Sequence, residues 1–272
     1  MIRMDKLIQI FADTQEFYST DELLKSAVEF GLEHTKLYSA DEYPELPDVE
    51  SKLGMTLTLN MKSFQAAMKF HRVMPNKKIV VLNFASATHP GGGVLSGSRA
   101  QEESLCRCST LYPLINQQWL KDKYYIPNRE ANDFRYTDDC IYSQGVVICK
   151  TDTDFPERLE HDDFISVDIV TCAAPNLKRV RQRDYNVREL YQLHYNRARH
   201  ILHLAALNGA DILVTGAFGC GAFKNDPELV AEAWSKALKE YQHRFKYIIF
   251  AVYFRDYEVD NFRVFNEKFN LS

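Results

Sequence analysis

Apolar side chains recur along this chain with two different periods, and the switching between them outlines the fold. Leu23, Leu24, Ala27, Val28 and Leu32 follow one another at helical spacing, and Ser19-Thr-Asp-Glu22 ahead of them has the spacing of a capping box. The first ~45 residues therefore read as helices. Tyr43-Pro-Glu-Leu-Pro47 interrupts that pattern and crosses to the rest of the chain. Beyond it, strand-like and helix-like runs alternate. Met55–Leu59 predicts a strand, and Asn60 is placed to cap a helix reaching about Arg72. Ile79–Phe84 is apolar without interruption, the pattern of a strand buried on both faces.

The same reading predicts a helix over Glu102–Tyr112 and strands over Val146–Cys149, Val167–Ala173, Ile212–Thr215 and Ile248–Tyr253. Helices are expected over Val187–Leu207 and Pro227–Gln242. The second opens on Asn225-Asp226-Pro227, with Asp at the cap and Pro at the first helical position. Residues 120–145 are the least regular stretch. Strands separated by helices of this length imply a mixed sheet between helical layers. No linker or repeat divides the chain, so one structural unit is expected: a helical extension over 1–48 packed on a main body over 49–272.

Charge narrows the possible partners. Lys and Arg total 33 against 37 Asp and Glu, a net charge of −4. With no basic stripe, direct DNA binding is not expected, and a polyanion would have to be gripped by backbone amides. The N-terminal stretch is amphipathic and carries Asp5, Asp13 and Glu16, unlike a secretory leader. No apolar run is long enough for a membrane span. The six scattered cysteines fit free thiols better than a disulfide framework, so a cytoplasmic location is expected.

Eleven glycines are present and seven fall in two windows, at 91, 92, 93, 97 and at 216, 219, 221. Each window follows an apolar strand and precedes a helix, the place where α/β sheets bind ligands. Glycine permits close backbone approach and positive φ, so successive N–H groups can converge on an anion, and two such loops suit a diphosphate. Neither window is a known nucleotide fingerprint. Ser98-Arg99 stands where a P-loop needs Lys-Ser/Thr, and Lys224 occupies the third glycine position of a dinucleotide motif.

Taken together, Pro90-Gly-Gly-Gly93, seven further residues and then Gln101-Glu-Glu103 resemble the signature of the poly(ADP-ribose) glycohydrolases. Thr215-Gly-Ala-Phe-Gly-Cys-Gly-Ala-Phe223 is similar to the diphosphate loop of their compact bacterial-type branch, and Val170–Asn176 to another strand end. The resemblance runs from about residue 50 to the C-terminus. It implies a three-layer α/β/α macrodomain-like fold with a mixed central sheet, and cleavage of the ribose–ribose bond of poly(ADP-ribose) from the chain end. The substrate would be poly(ADP-ribose) or an ADP-ribosylated protein, the product ADP-ribose, with no cofactor and no metal, acting as a monomer. His89 and Ser98-Arg99 depart from the expected pattern and bear on fine substrate preference.

By that resemblance Glu103 is the general acid/base, Glu102 holds hydroxyls of the terminal ribose, and Gln101 orients the pair or the sugar. The implied binding residues are Asn83, Ala85, Gly91, Gly92, Gly93 and Val94 around the first loop. Thr215, Gly216, Ala217, Phe218, Gly219, Cys220, Gly221, Ala222 and Phe223 form the second, with Phe223 rather than Phe218 as the aromatic contact. The chemistry is consistent with this. Glycosidic cleavage needs a carboxylic acid whose pKa burial or a neighbouring carboxylate has raised. Adjacent helical residues point about 100° apart, so the two glutamates have unequal roles. Taken alone, two glutamates in a first helical turn merely complement the helix dipole; it is their position after the glycines that points to catalysis. A macrodomain that only reads ADP-ribose is the alternative that adjacent acids disfavour. A hydrolase of mono-ADP-ribosyl conjugates is one that the sequence does not separate. Cys106-Arg-Cys108 and His200/His203 lack the companions of a metal site, and Asn225 and Asp226 read as capping residues.

Overall fold

The computed structural model describes residues 4–52, 54–254 and 259–270. Two helices open the chain, α1 (Met4–Thr20) and α2 (Glu22–Glu33), followed by a short strand β1 (Lys36–Tyr38). Then come β2 (Met55–Leu59), α3 (Ser63–Val73), β3 (Ile79–Phe84), α4 (Gln101–Cys108) and α5 (Leu111–Ile115). α6 (Gln118–Leu120) runs through a π-helical turn, Lys121–Tyr125, into α7 (Ile126–Ala131). The remainder is β4 (Cys140–Ile148), β5 (Ile165–Cys172), α8 (Val187–Leu207), β6 (Ile212–Thr215), α9 (Pro227–Tyr241), β7 (Tyr247–Ala251) and α10 (Asp260–Phe269).

The seven strands form one sheet in the order β1-β4-β5-β3-β6-β7-β2. β2, β7, β6, β3 and β5 pair in parallel, and β4 and β1 add an antiparallel flank. Because successive strand side chains alternate faces, β3 feeds two cores at once. Val80 and Leu82 join Ile201, Trp234 and Phe265 on one face, while Ile79 and Val81 join Phe64, Leu105 and Phe11 on the other. The continuous apolar run of β3 thus has its cause in the centre of a covered mixed sheet, and the fold is the three-layer α/β/α arrangement expected.

Several boundaries differ from the sequence reading, each for an identifiable reason. The extension is not wholly helical, because Lys36–Tyr38 pairs with Tyr142–Cys140 at the sheet edge. A three-residue strand has no period to read. Asp21, not Ser19, caps α2 by accepting from the N–H groups of Leu23 and Leu24, while Ser19 Oγ turns back to Glu16 O. Asn60 does not cap α3, which begins at Ser63; its side-chain oxygen instead accepts from Phe254 N. The helix expected through Tyr112 stops at Cys108, where Ser109 adopts extended geometry and bridges to Ile148. The stretch expected to be irregular holds α6, the π turn, α7 and the start of β4. α10 was not anticipated. The first three residues of the amphipathic N-terminal stretch lie outside the described residues.

α1 is fixed by polar contacts as well as apolar ones. Lys150, buried, pairs through Nζ with Asp13 Oδ2 at 2.6 Å and donates to Ile10 O at 2.9 Å. Thr14 Oγ1 donates to Arg107 O, at 2.6 Å, in the last turn of α4. The N-terminal helix is thereby tied to the helix that carries Glu102 and Glu103. Among the described residues no helix is long and apolar enough to cross a membrane.

Candidate active site

The chain leaves β3 at the centre of the sheet and must turn sharply to enter α4. It does so through Gly91 and Gly92, both at positive φ, and a single 3₁₀ turn at Val94–Ser96. Gly92, at φ +57, shows why glycine is needed. A Cβ there would lie 2.5 Å from Glu103 Oε1 and 3.0 Å from Glu102 Oε2. The first glycine window therefore lets the backbone lie directly against both carboxylates.

α4 is seated by Gln101. Its side-chain oxygen accepts from Phe84 N at 2.9 Å, and its Nε2 donates to Leu82 O at 2.8 Å and Ser63 Oγ at 3.0 Å. Both amide atoms are occupied by the end of β3 and the start of α3. Gln101 therefore fixes the helix that bears the acids.

The two glutamates are held differently, as their angular separation on the helix requires. Glu102, 2% exposed, accepts from Ser86 N at 2.8 Å through one oxygen and from Asn83 Nδ2 at 3.3 Å through the other. Burial pushes its carboxyl up to about 8; the neighbouring charge of Glu103 acts in the same direction and the Ser86 and Asn83 bonds oppose it. Glu103, 7% exposed, accepts from Gly93 N at 2.8 Å through Oε1, while its Oε2 is buried with no protein partner. Asn83 sits behind the pair, fully buried, its Nδ2 also reaching Thr171 Oγ1 at 3.2 Å and its Oδ1 unpartnered.

The second window follows β6. Its conformation depends on Asn225, which sits inside the turn. Asn225 Nδ2 donates to Pro175 O at 2.7 Å and to Gly219 O at 3.0 Å, while its Oδ1 lies 2.9 Å from His194 Nε2. Burial lowers the His194 imidazole to about 4, so it stays neutral and donates to that oxygen. Gly219, at φ +80, packs so closely that a Cβ would fall 2.5 Å from Ala174 Cβ and 2.7 Å from Asn225 Nδ2. Asp226 caps α9 as read from sequence, accepting from Glu228 N. Asn225, read as a capping residue, is instead the internal lock of the loop. Only the tertiary contact with Pro175, beyond the end of β5, and with His194 of α8 reveals that role.

Both windows line one cavity of about 410 Å³, a size that suits a small-molecule site. Of the residues singled out in the sequence, Ala85, Gly92, Gln101, Glu102, Glu103, Ala217, Phe218, Gly219, Gly221, Ala222 and Phe223 line it. Asn83, Gly91, Gly93, Val94, Thr215, Gly216 and Cys220 do not. The Val94 and Cys220 side chains are packed into the two cores, and Thr215 is fully buried at the end of β6. Asn83 and Gly93 act on the site through Glu102 and Glu103. Phe218 is fully buried and meets Phe84 edge-on at 5.7 Å; Phe223 is half-buried at the rim. Sequence reasoning missed Ser86, whose N–H holds Glu102 and whose hydroxyl accepts from Thr88 N and His89 N, and the wall made by Lys62, Asp152 and Tyr253.

Among the described residues no three His, Cys, Asp or Glu side chains gather into a group able to hold a metal ion. His200 Nδ1 and His203 Nε2 lie at 3.0 and 2.8 Å from the carbonyls of Asp138 and Pro44. All six cysteines are buried and free.

Against known proteins, the family model for the microbial-type PARG catalytic domain matches residues 7–151. The chain belongs to that family, the microbial-type poly(ADP-ribose) glycohydrolases. Solved relatives agree over almost the whole length. The glycohydrolase of Thermomonospora curvata is 28% identical with a TM-score of 0.87, covering 98% of this chain and 100% of that one. The same enzyme bound to the inhibitor ADP-HPD is 29% identical, with a TM-score of 0.85 and the same coverage. The glycohydrolase of Deinococcus radiodurans in complex with ADP-ribose is 31% identical with a TM-score of 0.78, covering 89% of this chain and 96% of that one. No curated protein matches. Membership makes the chain a glycohydrolase with a macrodomain-like fold.

Proposed function

We propose that this glycohydrolase releases ADP-ribose from the end of poly(ADP-ribose), with Glu103 as general acid and then general base. The observation that carries the assignment is the unpartnered Oε2 of Glu103. One oxygen of that carboxyl is fixed by Gly93 N and the other is free beside the cavity. A group that must give up a proton and later take one needs such a free atom. Both oxygens of Glu102 are already engaged by N–H donors, which suits a residue that orients sugar hydroxyls. In the cleavage step Glu103 Oε2 gives its proton to the departing ribose oxygen. Water then attacks the anomeric carbon and returns a proton to Glu103.

The loop Ala217–Phe223 clamps the substrate diphosphate with its backbone amides, and the half-buried Phe223 packs on the ribose it carries. Gly221 fits this role, since an added Cβ there meets no protein atom within 4 Å and close approach by a ligand is the remaining reason for glycine. Residues 1–48 brace the catalytic helix through the Thr14–Arg107 contact, and 49–272 form the catalytic body. The protein acts on ADP-ribosylated chains as a monomer, in the cytoplasm, without DNA contact.

The test measures free ADP-ribose released from poly(ADP-ribosyl)ated protein by wild type and Glu103→Gln, with ADP-ribose binding followed calorimetrically on both. The expected result is release by wild type, a loss of at least a hundredfold in the variant, and retained binding by both. Binding by both with release by neither would make the cavity a reader's site.

A further inference from the structure

One strained segment beside the cavity has no part in the mechanism above. Tyr136 adopts φ +57, a left-handed conformation that bulky L-residues rarely take. The surrounding structure holds it there from every side. Its N–H donates to Asp133 O at 3.2 Å. Its carbonyl accepts from Arg197 Nη2 at 3.2 Å, and the same nitrogen also bonds Arg135 O. Its hydroxyl accepts from Asn176 Nδ2 at 3.3 Å. The next residue, Thr137, donates its N–H to the buried Asn128 Oδ1 at 3.0 Å.

Arg197 is the centre of this clamp. It is fully buried, and besides those carbonyls it binds Asp138 Oδ1 at 2.6 Å and the carbonyl of Ala173, the residue after β5, at 2.7 Å. Burying a guanidinium to hold one loop in a disfavoured conformation is the kind of over-determination found where a side chain must be presented at a fixed place.

The place is informative. The Tyr136 ring lies 6.4 Å from the ring of Phe223, tilted by 52°, and packs against the small cluster that contains Ala87, Tyr124 and Ala173. Ala87 directly follows Ser86, whose N–H holds Glu102. Phe223 lines the cavity and Tyr136 does not. Tyr136 thus extends the aromatic surface of Phe223 beyond the cavity lining. Lys62 and Tyr253, which follow β2 and β7, line the cavity on the other side of the sheet centre.

The chemistry of the polymer supplies an occupant. The bond cut joins the anomeric carbon of the terminal ribose to the 2′-oxygen of the preceding unit's adenosine. A purine thus sits one ribose away from the departing oxygen. We propose that Tyr136, with the outer edge of Phe223, is the stacking site for the adenine of the departing unit. It acts as a specificity-determining residue that favours a nucleoside leaving group. In the step it assists, water oxygen bonds to the anomeric carbon and the bond to O2′ breaks with its electron pair on O2′. That oxygen takes the Glu103 proton, and the attacking water returns one to Glu103. This inference rests on the hydrolase reading.

The test compares di(ADP-ribose) with an analogue whose departing unit has lost its adenine, leaving a bare ribose as the leaving group. Wild type is expected to favour the intact dimer by roughly tenfold in kcat/KM, the scale of one base–aromatic stack. Tyr136→Ala is expected to lose that preference through the intact dimer alone, Tyr136→Phe to keep it, and both to bind ADP-ribose as wild type does. Equal use of the two substrates by wild type overturns the proposal, and that measurement needs no variant to fold. A loss of equal size on both substrates in Tyr136→Ala, or weakened ADP-ribose binding, overturns it too. If wild type cleaves neither dimer but does bind ADP-ribose, the hydrolase reading itself has failed.

Discussion

Gly93 N–H donates to Oε1 of Glu103 at 2.8 Å and leaves Oε2 of the same carboxyl buried and unpartnered. A backbone amide from the glycine loop thereby decides which oxygen of this carboxyl is left without a partner. The residue before it decides how near the loop can come.

Gly92→Ala tests that proximity. The added methyl would fall 2.5 Å from Glu103 Oε1, at a φ that L-residues avoid. The carboxylates or the loop must shift, and displacing a catalytic group by about 1 Å is enough for a loss of about a hundredfold. The expected outcome is such a fall in kcat with a stability cost of about 1–3 kcal/mol, checked by steady-state rates and denaturant unfolding.

The pH dependence of stability should carry the signature of Glu102. Its folded-state pKa is raised to about 8 from 4.5 in the unfolded chain. Between those values the folded state binds the extra proton, so its contribution is full below about 4.5 and is lost as pH rises through 8. Glu102→Gln removes this loss. Relative to wild type the variant should gain stability from pH 5 to 8, on the order of a few kcal/mol, then level off. Urea unfolding across that range decides it, and a difference independent of pH would contradict the assignment.

The two phenylalanines of the second loop should separate cleanly. Phe218 is fully buried and packed on Phe84 and His194, so Phe218→Ala should cost about 3–5 kcal/mol of stability. Phe223 is half-buried, and Phe223→Ala should instead weaken ADP-ribose binding by about tenfold with little change in unfolding. Calorimetric titration and thermal melts on both variants distinguish the roles.

Asn225→Ala should disarm the loop without touching the ligand. It would strand the carbonyls of Pro175 and Gly219 and the Nε2 of His194. Leaving buried polar groups unpaired costs about 1–3 kcal/mol each. The expected result is weaker ADP-ribose binding together with a lowered melting temperature, whereas a variant that binds normally would show that the loop holds its shape by other means.

Much of this molecule was legible in its sequence. β2, β3, β6 and α8 lie where apolar period placed them, because long periodic runs and uninterrupted strands record burial directly. The two glycine windows and the Gln-Glu-Glu triplet marked the site, since positive φ and close backbone approach admit few other residues. What period cannot record is a contact that depends on distant parts of the chain. β1 exists only because β4 offers an edge, α4 ends only because Ser109 meets Ile148, and the π turn lies in a stretch with no period at all.

The same division runs through the site. The sequence by itself placed both glutamates after a bare backbone and set their unequal directions, since helical geometry is local. Only the tertiary structure decided that Gln101 anchors α4 to β3, that the Val94 and Cys220 side chains belong to the cores, and that Asn225 locks a loop. It alone left one oxygen of Glu103 free and drove the Glu102 carboxyl up. Hydrogen-bond partners and desolvation are properties of what surrounds a side chain, and for these residues the surroundings come from strands and loops far away in the sequence.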